Sequence, residues 1–394
     1  MANRNRWLLP DGVEELLPPK AWSAEMIRRR LLDLYRSWGY ELVMPPMIEY
    51  LESLLTGTGN DLDLQTFKVT DQISGRMMGV RADITPQAAR IDSHCLRRKG
   101  TTRLCYSDSI LHTRPENQQK GRSPIQIGCE LFGNDSIESD IEIIRLMIET
   151  MYLSNAPFIH VDLSHVGIVK GVLAASGVTG ELRRSLLDAL TRKSVPDVEM
   201  ITQSSDLASD IADQLRLLPL LIGDEAVLEK AAGVFGHSDP SILAALAQLD
   251  VMGKAICQLY PSISVSFDLC ELRGYHYHTG LVFTGYGDAS GSVLAKGGRY
   301  NSIGEEFGRA RPATGFSVDL KSLVKFSGQS SFSGRIYAPQ TDDEALNREV
   351  ARLRKEHIVV QGFDGDSGTP QDMGCDRQLV NIDGKWQVKP VSEQ

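Results

Sequence analysis

Between Gly167 and Tyr260 nearly every stretch of the sequence has helical period, punctuated by Gly177, Pro196, Pro219, Gly223 and Pro240. The segments on either side read as strands interleaved with a few helices, so the chain is an α+β protein with a helical insertion at about 167–260. The body opens with an amphipathic helix over 21–38, where Trp22, Met26, Ile27, Leu31, Leu34 and Trp38 share one stripe and Gly39 stops it. Pro45 and Pro46 forbid a helix interior in 40–49, which reads as a strand leading into extended chain. Residues 66–70 and 76–81 form a hairpin, and 85–98 a helix with Asp83 or Thr85 as its cap. Residues 104–111 and 123–132 are antiparallel strands around a polar loop at 116–121, followed by a helix at 136–152 and a strand at 158–163. Strands resume at 262–270 and 280–283, Gly297-Gly298-Arg299-Tyr300 makes a tight turn, and 315–323 is a strand entering a helix.

The Ser/Gly-rich run 327–334 marks a linker. It divides a body of residues 1–326 from a small C-terminal α/β unit, 327–394, with a strand, a helix, a strand and a hairpin through Asp383-Gly384.

With 394 residues, 42% apolar and 24% charged, the chain can bury a sizeable core. No apolar run reaches the ~18 residues of a membrane span, and the N-terminal residues lack the hydrophobic stretch of a secretory signal. Six scattered cysteines, never spaced CxxC, point to reduced thiols in a cytosol rather than to structural zinc. The net charge of -9 weighs against a large nucleic-acid footprint.

Two segments carry chemistry. In Gln126-Ile127-Gly128-Cys129-Glu130, Gln126 and Glu130 share a strand face, with Gly128 between them leaving room for a ligand. A carboxylate buried there costs several kcal/mol unless paired, so Glu130 either faces solvent or wants a donor such as an amine or imidazole. In LCELRGYHYHTG, 269–280, strand alternation puts Arg273, Tyr275 and Tyr277 on one face and His276 and His278 on the other. This is either an edge strand with solvated rings or a pocket wall with a carboxylate-binding fork. His276 and His278 lack a third ligand at fixed spacing, 364–368 is a turn rather than a calcium loop, and no P-loop or dinucleotide fingerprint occurs, so neither metal nor cofactor is expected.

Over about residues 8–325 these segments resemble histidyl-tRNA synthetases, class II aminoacyl-tRNA synthetases. GYELVMPPMIE resembles motif 1, the dimer-forming strand, and VRADITPQAAR the RPEGT-type segment. RLCYSDSILHTRPENQQKGRSPIQIGCELFG is similar to motif 2, LRGYHYHTG to the histidine signature LxRGLDYYTG, and KGGRYNSIGEEFG with PATGFSVDL to the run into motif 3. The resemblance implies an antiparallel sheet flanked by helices. It also implies a histidine pocket. Asp83 would hold the α-amine, Thr85 and Gln126 would contact the amino-acid backbone, Glu130 the imidazole and Arg273 the carboxylate. Tyr277 and Tyr300 would line it, with His278 at the family's second tyrosine and His276 at its aspartate.

The nucleotide side departs from the family. Its motif 2 begins Phe-Arg-x-Glu, where this chain has Leu111-His112-Thr113-Arg114, and Ser322, after Lys321, replaces the motif 3 arginine. A short neutral imidazole does not replace a bidentate guanidinium on a phosphate, and loss of both clamps removes adenylation. A synthetase-like body with histidine binding kept and nucleotide chemistry erased resembles the regulatory subunits of ATP phosphoribosyltransferase. That resemblance implies a dimer without catalytic residues. It would bind the short-form catalytic subunit in the first step of histidine biosynthesis, with L-histidine as the allosteric ligand. The alternatives are a histidyl-tRNA synthetase with diverged motifs and a histidine sensor for another partner.

Overall fold

The structure is a computed structural model describing residues 7–55, 60–115, 121–272, 274–275, 277–287, 291–305, 307–326, 334–363 and 368–391. Contacts divide the chain into one unit of residues 1–16 and 23–328 and another of 17–22 and 329–394.

The larger unit is built on a nine-stranded sheet in the order Glu41–Leu42, Thr102–Ser109, Ile125–Phe132, Ala313–Asp319, Ser292–Arg299, Leu281–Gly287, Phe158–His165, Ser264–Asp268, Ile222–Gly223. Pairing is antiparallel except between the first two strands and between Phe158–His165 and Ser264–Asp268. Strand alternation sorts the residues by face. Ile127, Cys129, Leu131, Phe316, Val318, Phe283, Val161, Leu163 and Phe267 are buried on one side, in the core completed by the helices Lys20–Ser37, Ile137–Leu153 and Pro240–Leu259. Each buried Leu, Ile or Phe contributes about 1.5–3 kcal/mol, so a one-residue slip that exchanged the faces would be far costlier than any polar gain. That leaves Tyr106, Gly128, Glu130, Gly315 and Gly298 on the opposite face. A separate hairpin, Phe67–Thr70 with Met77–Val80, pairs with Ile48–Tyr50. Six α-helices lie between Val166 and Leu259, with a two-residue strand, Ile222–Gly223, supplying the sheet's edge.

Two local expectations are corrected here. Gly297 and Gly298 do not form a tight turn; they lie inside the Ser292–Arg299 strand, paired on both sides. Their lack of a side chain serves close packing: a Cβ at Gly297 would sit 2.3 Å from the Phe283 ring, and one at Gly298 2.6 Å from the Leu281 carbonyl oxygen. The LCELRGYHYHTG segment is not a strand. After Ser264–Asp268 the described residues run through turns until Leu281, and Gly274 takes φ +70°. The helix Pro240–Leu259 is, alone among the described residues, long and apolar enough in average composition to cross a membrane, although Asp250 and Lys254 interrupt any continuous apolar run. It buries Ile242, Ala245, Leu246, Leu249, Met252 and Ile256 within the protein core, which accounts for its composition.

The smaller unit has a four-stranded sheet ordered Val359–Gln361, Ile336–Ala338, Arg377–Ile382, Lys385–Pro390. The helix Glu344–Leu353 packs Leu346, Val350 and Leu353 against Ile336, Ala338, Val359 and Leu379. Asp383 and Gly384, at φ 51° and 79°, make the two-residue turn of its hairpin. The linker 327–333 and the loop 364–367 lie outside the described residues.

Candidate functional site

Glu130 is the centre of the site. It stands mid-strand opposite Leu104 on one side and Gly315 on the other, and is 1% exposed. A Cβ at Gly315 would fall 1.6 Å from its Oε2, so the carboxyl lies directly over that glycine. No cation compensates it among the described residues. Three hydroxyls do: Thr85 Oγ1 and Tyr106 OH each donate to Oε1 at 2.9 Å, and Tyr300 OH donates to Oε2. Burial pushes the Glu130 pKa up to about 8, against the pull of the Tyr300, Tyr106 and Thr85 hydroxyls.

A cavity of about 200 Å³ opens beside this carboxyl, lined by Asp83, Thr85, Glu130, Tyr277, His278 and Tyr300 together with Lys296, Ser317 and the glycines 297, 298 and 315. Thr85 begins the short helix Thr85–Arg90, whose Pro86 suits a first turn; Ile84, not Asp83 or Thr85, occupies the N-cap position. Asp83 Oδ1 accepts from the Thr85 amide at 3.0 Å and from Gln126 Nε2 at 2.7 Å, while Gln126 Oε1 accepts from the Ile84 amide at 2.8 Å. Tyr277 stacks on Tyr300 with centroids 5.0 Å apart. The Tyr277 hydroxyl and His278 Nδ1 are buried without a hydrogen-bond partner among the described residues. Burial holds His278 neutral, its pKa lowered to about 4. Orphaned polar atoms beside a buried carboxyl are the mark of a site awaiting a polar ligand.

The sequence-derived residues Asp83, Thr85, Glu130, Tyr277, His278 and Tyr300 thus meet in one cavity. Gln126 does not line it but lines an adjoining cavity of about 220 Å³ that shares Asp83, Lys296 and Ser317. Arg273 and His276 lie outside the described residues. Tyr106 was not expected. Its signal is the pairing with Gly128, where a Cβ would stand 2.8 Å from the tyrosine hydroxyl. Tyr275, expected beside Tyr277, instead accepts from Arg183 Nη2 at 3.1 Å, because the chain turns rather than alternates. Among the described residues no group of three or more metal-ligating side chains occurs.

Of the nucleotide-side positions named from the resemblance, two are engaged within the protein and one is exposed. His112 Nε2 donates to the carbonyl of Ala82 at 2.9 Å, Arg114 is exposed, and Ser322 Oγ donates to Asp319 Oδ2 at 3.1 Å.

A sheet of this order, with an amino-acid-sized cavity on its polar face, defines a class II aminoacyl-tRNA synthetase-like protein. Residues 12–323 match the histidyl-tRNA synthetase family, and residues 333–389 the ATP phosphoribosyltransferase subunit HisZ C-terminal domain. Relatives named ATP phosphoribosyltransferase regulatory subunit are 50% identical in Pseudomonas putida, over 100% of both chains, and 51% identical in Thioalkalivibrio sulfidiphilus, over 98% of both. A solved ATP phosphoribosyltransferase regulatory subunit/histidyl-tRNA synthetase from Bacillus halodurans superposes with TM-score 0.80 at 27% identity, covering 95% of this chain and 97% of that one. The ATP phosphoribosyl transferase (HisG:HisZ) complex from Thermotoga maritima includes a chain of the same fold, with TM-score 0.58, 18% identity and coverage of 78% and 98%. The chain belongs to the ATP phosphoribosyltransferase regulatory subunit family, whose members are regulatory rather than catalytic.

Proposed function

We propose that the chain binds free L-histidine in the cavity around Glu130, assembles with the short-form catalytic subunit of ATP phosphoribosyltransferase in the cytoplasm, activates it, and conveys feedback inhibition when histidine is bound. The observation that carries this reading is an asymmetry. The amino-acid cavity keeps a buried carboxyl, orphaned polar atoms and stacked tyrosines, while His112 and Ser322 stand where phosphate-gripping arginines would be required. Glu130 would take the imidazole N–H, Asp83 and Thr85 the α-amine, and Arg273 the carboxylate; Gln126 would act on the ligand only through Asp83. Neither tRNA nor a membrane takes part, and no catalytic residue, metal or cofactor is required.

The chain would also pair with a second copy through the segment resembling motif 1. Leu42, Met44, Met47 and Ile48 are exposed there, with Met77 exposed on the adjoining hairpin.

The experiment is to mix this chain with the short catalytic subunit and titrate histidine while following product. Turnover present only in the mixture and suppressed by histidine supports the reading. Histidine-dependent ATP–pyrophosphate exchange by this chain alone, or turnover indifferent to histidine, overturns it.

A further inference from the structure

The turn that carries Tyr277 and His278 is held from outside the cavity by two cations of the helical insertion. Lys170, on the helix Val166–Ala175, donates from Nζ to the carbonyl of His278 at 2.7 Å and lies 5.2 Å from the centroid of the Tyr275 ring. Arg183, on the helix Gly180–Thr191, donates to the hydroxyl of that same tyrosine at 3.1 Å. Within the turn, the amides of Tyr277 and His278 both reach the Gly274 carbonyl, at 2.8 and 2.7 Å. Neither Lys170 nor Arg183 forms an ion pair among the described residues, so the carbonyl, ring and hydroxyl of this turn are what engage their charges. Lys170 is half-buried, a position a flexible ammonium does not keep without such partners.

We propose that Lys170 and Arg183 are positioning residues for the ligand pocket: they touch no ligand but fix the turn so that Tyr277 and His278 face the cavity. This rests on the cavity being the histidine site. Past the turn, the Thr279 amide donates to the Arg299 carbonyl at 2.8 Å and the Val166 amide to the Gly280 carbonyl at 3.1 Å, which ties its exit to the sheet. Ahead of that anchor, Lys170 holds the His278 carbonyl and the Tyr275 ring, and Arg183 the Tyr275 hydroxyl. Through them the insertion and the pocket share one piece of backbone.

Two measurements on the full chain test this with Lys170→Met, Arg183→Met and Lys170→Arg. In ligand-free protein, Lys170→Met and Arg183→Met should speed amide exchange at Tyr275, Tyr277 and His278 and leave exchange in the sheet strands unchanged. By calorimetry, Lys170→Met should weaken histidine binding about tenfold, the scale of one charge-assisted hydrogen bond, and Lys170→Arg should restore most of it. Placed on Tyr277→Ala, where the turn has lost a ligand contact, Lys170→Met should cost much less than it does alone. Unchanged exchange in both methionine variants, or an equal loss of affinity with and without Tyr277, overturns the proposal. Wild-type protein that binds no histidine overturns the site reading alone, and the exchange result still decides the positioning role.

Discussion

Glu130 meets its burial with hydroxyl donors rather than with a cation, and this fixes how it responds to pH. Its pKa in the folded chain, about 8, lies above the ordinary 4.5, so ionisation is harder in the folded protein than in the unfolded one. The stability this group contributes is therefore complete below the unfolded value and is lost as pH rises through the folded one, on the order of a few kcal/mol in total. Ligand-free wild type should unfold at progressively lower temperature from about pH 5 to about pH 8, and Glu130→Gln should flatten that slope; equal slopes in a thermal-unfolding series would contradict it. With histidine present, Glu130→Ala should weaken binding by about 1–3 kcal/mol, the scale of an unpaired charged partner, which calorimetry measures directly. The demand for donors at Glu130 was legible from a carboxylate in a strand beside Gly128. The donors were not. Tyr106 looks like an ordinary core tyrosine until strand register sets it opposite Gly128 with its hydroxyl on the carboxyl, and Tyr300 was expected to line the pocket but not to donate to Glu130.

Among the elements, the strands around the site are shaped by what they lack. Gly315 and Gly298 pair across the Ala313–Asp319 and Ser292–Arg299 strands and together floor the cavity. Gly315→Ala would drive a methyl into the Glu130 carboxyl and stand 2.7 Å from the Cys129 carbonyl oxygen. It should destabilise the protein by about 1–3 kcal/mol as an overpacked core does and also weaken histidine binding, because the carboxyl must move. Chemical denaturation and calorimetry on the same preparation separate the two effects; a stable variant with unaltered affinity would show that the carboxyl is not seated there. The helix Ile137–Leu153, the hairpin Phe67–Thr70 with Met77–Val80, and the strand Ile125–Phe132 were legible because periodicity and turn residues agree within each. The glycine pair 297–298 was misread because glycines signal turns locally, whereas here Phe283 and two flanking strands demand them. The turn after Asp268 was misread because alternating polar and aromatic residues imitate a strand, and only the Gly274 backbone breaks the pattern.

For the whole molecule, sheet order was beyond local reading. The Ile125–Phe132 strand lies between Thr102–Ser109 and Ala313–Asp319, so its second neighbour is nearly two hundred residues away, and no propensity specifies such a pairing. The likeness of the motifs to histidyl-tRNA synthetases carried that information instead. The proposed role bears on regulation, because an effector bound in this pocket would act through an equilibrium rather than a reaction. If histidine lowers the affinity of the assembled enzyme for its substrates by some factor, thermodynamic linkage requires those substrates to lower histidine affinity by the same factor, typically about 5–150-fold. Histidine titrated calorimetrically into the complex should therefore bind more weakly when substrates saturate the catalytic chains, whereas the regulatory chain alone should be indifferent to them. Equal histidine affinity with and without substrates, in a complex that histidine still inhibits, would place the inhibition on the rate of turnover rather than on binding.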